Sequence, residues 1–514
     1  MNKKIYNVLF NAAKIIGIAV VIFILILCLT TTADIAPGRS EKTIFSPHGA
    51  SFYVKVVLEV VLIVLGGFLI KKMSSKKLFA VCCTIYSLLG MYIILNTGNA
   101  LRADAAIVYD YSKVFMNGDY TALNFGEYLY RYPHQLGLLS YDMLVSRLVS
   151  TDVRAVFTLN LLWAVLINFF TYKLADLWFY QNRLVNNVTI LLTHLFLPQL
   201  FFIKFAYGLI PSFAFITFAL YNATLFYKNG KTKNFIFTAV FASIAVVLRS
   251  NSLLAIITFI LIFALLIIKK PKVKTAILLV LLIVALFLPQ TLVNNYYERR
   301  TGAEITEGEP KILWVAMGMQ ECKARANGWW NAYNQDTFTE TGYNIEESKK
   351  IANEYIDERL EEFKADPAYT LDFYMEKIKS TWCNPTFQSI WTGPVTAYQE
   401  NKTALMNDIY SGGIVYNKIF KNSNTLLVII LLFASIFLIF KRGKENPLIL
   451  FPVVFIIGAF LFHILWETKS QYVYIYIFAL IPLSAKAVSM THEGFKKVVS
   501  IGFKKVKTLL KKKA

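Results

Sequence analysis
Charge is scarce in this chain, and the residue patterns of soluble catalytic domains are missing. Asp, Glu, Lys and Arg make up only 17% of its 514 residues, against 56% hydrophobic and 15% aromatic. That balance leaves too little polar surface for a soluble fold of this size. Five cysteines are too few for a disulfide framework. Cys28, Cys82 and Cys83 fall in apolar runs, where they serve as small filler. Cys322 and Cys383 share one polar segment and remain the single candidate pair. There is no Walker loop, no glycine-rich dinucleotide turn, no paired-cysteine metal knuckle and no His-Glu-x-x-His.

What the chain has instead is long uncharged stretches. Hydrocarbon about 30 Å thick takes about 20 apolar residues at a rise of about 1.5 Å. Runs of that order recur at 15–31, 56–70, 155–172, 252–268, 275–293, 424–440 and 471–485, with charge confined to the gaps. Asn2-Lys3-Lys4 resembles the basic start of a signal peptide, but the run behind it outlasts a signal core and further runs follow. A retained first helix is expected.

The net charge of +21 is unevenly placed. Lys71-Lys72 with Lys76-Lys77, Lys228 with Lys231 and Lys233, Lys269-Lys270 with Lys272 and Lys274, and Lys441-Arg442 with Lys444 sit in short gaps, which are therefore expected on the cytoplasmic side. Residues 292–421 hold 19 of the 32 acidic residues in one long segment, which reads as an external domain. After residue 490 eight lysines face one glutamate, the composition of a basic helix lying on anionic inner-leaflet lipid rather than on nucleic acid.

Twelve spans satisfy this charge pattern with both termini inside: 11–31, 54–70, 78–96, 154–177, 187–203, 211–227, 235–248, 252–269, 274–292, 423–440, 447–466 and 471–489. Segment 134–150 must then not cross, or the basic gap 228–234 would fall outside. Asp142 and Arg147 agree, since each costs about 2.5–3.5 kcal/mol near mid-membrane. The expected fold is an all-α polytopic membrane protein of about twelve transmembrane helices, with juxtamembrane helices and a mainly helical external domain. Its regions are 1–291, including an external loop at 97–153; the external domain 292–422; a three-helix region 423–490; and a basic tail 491–514. In the domain, Asn344 followed by Glu347 predicts a capped helix running to Asp366-Pro367, and a second helix over 368–381.

Chemistry is to be sought among polar residues at the outer face. The first loop is richest: Arg102-Ala103-Asp104, then Asp110, Asn117-Gly118-Asp119-Tyr120, and Tyr130-Arg131-Tyr132-Pro133-His134-Gln135. An aspartate soon after an early span, a short helix ending in Gly-Asp-Tyr, and a Tyr-Pro-x-Gln-like start to a juxtamembrane helix resemble the first external loop of the GT-C superfamily of membrane glycosyltransferases. The nearest pattern is that of polyprenyl-phosphate-sugar users such as protein O-mannosyltransferases and lipid A aminoarabinose transferases. Leu248-Arg249-Ser250-Asn251 and Trp466-Glu467-Thr468-Lys469-Ser470-Gln471-Tyr472 look like the same family. The domain with Trp314-Val315-Ala316-Met317-Gly318-Met319 and Gly328-Trp329-Trp330 resembles that of Gram-positive members. The match runs from about residue 78 to 490 and is carried by the order of short motifs. Ala105 stands where many relatives have a second acid, Gln471 where many have arginine, and two spans precede the loop where many relatives have one.

The resemblance implies transfer of a sugar from a polyprenyl-phosphate donor to an envelope glycan, lipid or protein, outside a bacterial cytoplasmic membrane; no cofactor is expected, and Ala105 weakens any metal-binding role. A carboxylate within reach of the acceptor hydroxyl serves as base, which assigns Asp104. The departing phosphate needs cations, arginine's fork being the better fit; Arg249, Lys469, Arg102 and Arg131 are the candidates. Glu467, His134, Gln135, Tyr132, Trp329 and Trp330 are candidate substrate contacts. Each has a plainer alternative: Asp104 a cap, Arg249 a structural ion pair, Lys469 and Glu467 a snorkelling span end, His134 a helix cap, and Trp329 and Trp330 core packing. An envelope polysaccharide polymerase and a lipid-linked-sugar flippase or transporter are the competing classes. The flippase calls for ionisable groups deep in several spans, where this sequence has almost none.

Overall fold
The computed structural model describes residues 2–38, 40–394, 401–440 and 446–513. Helix α1 (Asn2–Thr30) runs straight into β1 (Thr31–Asp34), which pairs antiparallel with β2 (Ile44–Pro47), Thr31 opposite Pro47 and Asp34 opposite Ile44. The apolar helices α2 (Ala50–Ile70) and α3 (Ser75–Asn96) follow. Three helices of the first large loop come next: α4 (Ala103–Met116), α5 (Tyr128–Arg131) and α6 (Leu136–Leu148). Then come α7 (Arg154–Trp178), α8 (Arg183–Leu195), α9 (Leu197–Phe201), α10 (Leu209–Asn229), α11 (Thr232–Leu248), α12 (Leu253–Lys269), α13 (Val273–Val284) and α14 (Leu288–Thr301). The domain contains α15 (Ile312–Gly318), α16 (Tyr333–Glu340), α17 (Ile345–Ala365), α18 (Pro367–Trp382) and α19 (Ala404–Ser411). The last bundle helices are α20 (Ile414–Phe440), α21 (Phe451–Leu465), α22 (Tyr474–Ala479) and α23 (Ile481–Lys513).

Among the described residues, eight helical segments are long and apolar enough to cross a membrane, and eleven if each of three bent pairs counts as one span. The bends of 49°, 44° and 45° separate α8 from α9, α13 from α14, and α22 from α23. Each has the same cause, because Pro198, Pro289 and Pro482 stand second in the following helix, where a missing N–H and a fixed φ begin a helix but do not continue one. The expected span at 235–248 is α11, a shorter apolar helix of 17 residues. Val57, Leu62 and Leu69 on α2 and Leu88 on α3 are exposed, as apolar faces turned toward lipid would be. α6 has 13 residues, about 20 Å, too short for a crossing. It packs instead on α4, α11 and α14. Its Asp142 is fully buried without a hydrogen-bond partner among the described residues, and burial pushes that carboxyl well above its ordinary range.

The two ends of the bundle differ sharply. At one, Lys274 Nζ donates to Thr232 Oγ1 at 3.1 Å, Lys269 lies over the Tyr6 ring, and Lys71 and Lys496 flank Phe68. The group Lys441, Arg442 and Lys444 lies outside the described residues, as do the tail side chains beyond Ile501. At the other end sit the β1–β2 ribbon, the α4–α6 loop and the domain. The domain extends over 302–413, because α14 continues to a left-handed Gly302 and α20 begins already at Ile414. Asn344 Oδ1 accepts the Glu347 N–H at 3.0 Å and starts α17, and Asp366 caps α18 in the same way.

Backbone contacts dock the domain on the bundle. Glu467 N donates to Trp314 O and Thr468 N to Gly328 O, both at 3.0 Å. Lys377 Nζ on α18 donates to Gly318 O at 2.5 Å and to Ile464 O at 2.8 Å. Gly328 has φ +69°, and a Cβ there would stand 2.7 Å from Gly318 O, so only glycine lets these strands of chain approach. The pairing left open for Cys322 and Cys383 is corrected: Cys383 lies against Cys28, with 3.8 Å between the Sγ atoms, because β1 brings the end of α1 onto the end of α18. The five cysteines stand as thiols in this structure.

Candidate functional site
The loops at the domain end converge on Asp104, the second residue of α4. Ala103 before it takes φ +45°, a left-handed conformation costly for a residue with a Cβ and found where neighbouring structure holds it. Water reaches Asp104, yet protein surrounds its carboxylate on most sides. Tyr207 Oη donates to Asp104 Oδ2 at 3.3 Å, and the Tyr128 hydroxyl faces the same carboxylate. Gln135 Nε2 donates to Tyr207 Oη at 2.6 Å and lies 3.3 Å from His134 Nε2. Burial raises the Asp104 carboxyl above its ordinary range, against the pull of Lys469, the two tyrosine hydroxyls and Arg249.

Arg249 ends α11 in extended backbone, half-buried. It donates through Nη1 to Tyr207 O at 2.7 Å, and its guanidinium carbon stands 5.1 Å from the Tyr207 ring and 5.7 Å from the Tyr472 ring. Backbone and aromatic faces therefore hold this cation, in place of the structural ion pair open on sequence alone.

Lys469 is ion-paired. Its Nζ lies 2.7 and 2.9 Å from the two oxygens of Glu41, and Arg325 Nε donates to Glu41 Oε2 at 2.8 Å. Gln388 Nε2 adds a fourth contact at 3.3 Å. Burial opposes ionisation of Glu41, which is 2% exposed, but Lys469 and Arg325 outweigh it and hold the carboxyl below its ordinary value. The triad keeps a net positive charge, and Trp330 lies beneath both cations, 5.1 Å from Arg325 and 5.9 Å from Lys469.

Two more carboxyls line this end. Glu467 is buried, its Oε1 without a hydrogen-bond partner among the described residues, and is pushed up to about 7 by burial, with Lys469 opposing. Glu309 accepts from Asn334 Nδ2 at 2.6 Å, and burial raises it to about 7 against Asn334, the neighbouring Tyr132 hydroxyl and Arg131. Its N–H donates to Arg131 O at 3.0 Å, and Gly308 makes that approach possible: φ is +71° and a Cβ would meet Arg131 O at 2.4 Å. His134 is neutral, because burial, Lys311 and Arg249 bring it down to about 4.

Of the residues singled out by sequence, Asp104, Arg249, Lys469, Glu467, His134, Gln135 and Tyr132 thus share one neighbourhood, with Trp330 at its edge. Arg131 contributes its carbonyl, and its side chain lies over Tyr132. Arg102 is engaged elsewhere, with Nε toward Gly393 O at 3.3 Å and its guanidinium 4.5 Å from the Trp391 ring. Trp329 takes the core alternative, fully buried with Nε1 on Ser380 Oγ at 2.8 Å. Glu41, Arg325, Glu309, Tyr128 and Tyr207 were not singled out. Tyr128 stands two residues before the Tyr130–Gln135 stretch, a signal that an i, i+3/i+4 reading of that stretch would have caught.

Neither a protein-family model nor a curated protein matches the chain, so the site has to be read from its chemistry.

Proposed function
We propose that the protein is a membrane glycosyltransferase. It moves a sugar from a polyprenyl-phosphate donor to a hydroxyl of a cell-envelope acceptor on the outer face of the cytoplasmic membrane. The observation that carries this reading is the Asp104 carboxylate, fixed on a strained backbone, open to water, and standing in the field of Arg249 and Lys469 at the membrane end of the bundle. In the reaction Asp104 takes the proton of the acceptor hydroxyl as its oxygen bonds to the anomeric carbon. The bond from that carbon to the donor phosphate oxygen breaks, and its electron pair leaves with the phosphate. Inversion follows from a single displacement. Arg249 meets the charge growing on the phosphate, and the Glu41–Lys469–Arg325 triad keeps the local potential positive.

Orientation follows from charge. The lysine end faces the cytoplasm, the acidic domain faces outward, and with α11 and the bent pairs counted as crossings the chain spans twelve times with both termini inside. The spans near Asp104 are almost free of ionisable groups, which favours a transferase over a flippase.

The test is an in-membrane transfer assay on variants at matched expression, with polyprenyl-phosphate sugars as donors. Asp104→Asn keeps size and hydrogen bonding but takes no proton, so transfer falls by about 10²–10⁴-fold while donor binding survives. Asp110→Asn and Asp119→Asn retain most activity, since both carboxylates are exposed, Asp110 beside Lys113 and Asp119 accepting from the Thr121 N–H. Normal transfer by Asp104→Asn would remove the base assignment, and unaltered lipid-linked sugar pools in cells lacking the protein would remove the transferase reading.

A further inference from the structure
Two buried thiols meet where the first span joins the external domain. Cys28 lies in the last turns of α1 and Cys383 at the end of α18, both 1% exposed, with 3.8 Å between the sulfurs. Cys28 Sγ also points toward Trp382 O at 3.5 Å. Bonds that do not involve sulfur fix the backbones on either side: Ala33 N donates to Cys383 O at 3.0 Å, and Asn384 Nδ2 to Ala33 O at 2.9 Å. The approach of the two residues is therefore a property of the fold rather than of a mobile surface. Cys82 and Cys83 lie on α3, and Cys322 stands half-exposed in the domain.

We propose that Cys28 and Cys383 form a structural disulfide that staples the outer end of the first span to the external domain. The proposal rests on the outward orientation of this end argued above, because disulfides persist in oxidising compartments. The sulfurs have to close by about 1.8 Å to reach the S–S length of about 2.05 Å. The oxidant is a disulfide of a thiol–disulfide exchange protein outside the membrane. One cysteine thiolate attacks it to give a mixed disulfide. The second thiolate then displaces the exchange protein, which leaves as a dithiol holding both electrons and both protons. Both sulfurs are buried in the finished fold, so the exchange takes place before the domain seats on α1. A link across 355 positions of sequence constrains the unfolded chain strongly, and it holds the ribbon 31–47, and with it Glu41, against the domain.

The experiment uses full-length protein extracted from membranes with acid quenching. Free thiols are blocked with one maleimide in denaturant, disulfides are then reduced, and the released thiols take a maleimide of different mass before digestion. The expected result is the second label on Cys28 and Cys383 and the first on Cys82, Cys83 and Cys322. First label on Cys28 and Cys383, or second label on Cys322, overturns the proposal. A parallel Asp119→Cys variant is treated in intact cells with a membrane-impermeant maleimide. Labelling at that position together with free Cys28 and Cys383 defeats the staple alone. No labelling there, with both thiols free, defeats the orientation and the staple together.

Discussion
The two ends of the bundle carry cations in opposite ways. At the lysine end, Lys231, Lys270, Lys272 and Lys274 stand exposed, with contacts that water and salt screen. At the domain end each cation named in the site has a partner that fixes its position: Glu41 for Lys469 and Arg325, and Tyr207 and Tyr472 for Arg249. The first arrangement sets a potential and is insensitive to which lysine supplies it. The second is a construction in which each member depends on the others, and such a construction is what the proposed phosphate and hydroxyl chemistry would require.

The largest effect is therefore expected at Glu41. Glu41→Ala leaves Lys469 and Arg325 with no common carboxylate in a nearly dry site, and removing one partner of a buried pair costs about 3–5 kcal/mol. Heating detergent-solubilised protein and following the folded fraction by gel filtration reads this directly. If Glu41→Ala melts with the parent, the triad is no more than a surface pair and the contrast between the ends collapses.

Next comes Arg249→Lys, which keeps the charge and loses the fork together with the aromatic stacking. Transfer should fall by about 10²–10³-fold, as for removal of one preorganised donor, with expression unchanged. Equal turnover in the two proteins would place Arg249 in the same class as the exposed lysines.

A smaller effect concerns pH. Glu309 is held at about 7 in the fold, above its ordinary carboxyl value. Between these values the folded state binds more protons than the unfolded one, so stability falls as pH rises through that window. From about pH 5.5 to pH 7 the loss attributable to Glu309 is about 1.5 kcal/mol. Asp104, also raised by burial, acts with the same sign, while burial raises Tyr132 beside Glu309 further above this range. Glu309→Gln should flatten the slope of thermal stability against pH over this range; an unchanged slope would assign it to other groups.

How much of this was legible depended on sequence distance. The apolar runs, the Asn344 cap and the stop at Asp366-Pro367 rest on spacings of a few residues, and the structure has them. The three bends were not read, although Pro198, Pro289 and Pro482 were in view, because a span tolerates proline when neighbouring helices satisfy the freed backbone groups. Whether it kinks or breaks is decided by packing. The order of the Asp104, Arg249 and Lys469 motifs was readable, but Glu41 was not. Its partners Lys469 and Arg325 lie 428 and 284 positions away, and nothing local in the loop after α1 announces them. The contact of Cys383 with Cys28 escaped for the same reason, since membership of one polar segment was a poorer guide than the return of the chain to the end of α1.

The smallest effect is expected at the lysine end. Lys274 Nζ touches Thr232 Oγ1 at 3.1 Å and Gly230 O at 3.5 Å, and Lys231 is exposed at the turn between α10 and α11. Neither makes an ion pair with an acidic side chain among the described residues. Lys231→Gln and Lys274→Gln should each change stability by less than about 0.5 kcal/mol, the range for surface substitutions away from buried networks, and should leave transfer at the parental rate. What these lysines do together is different, because orientation responds to the summed positive charge of short loops near span ends and not to a single contact. Replacing Lys228, Lys231, Lys233, Lys270, Lys272 and Lys274 together with Gln should lower the fraction of molecules whose Asp119→Cys thiol is labelled from outside intact cells, while the correctly inserted fraction keeps its activity. If a single lysine replacement instead destabilised the protein by more than about 2 kcal/mol, the lysine end would be a built site like the other, and residue burial would no longer separate the two.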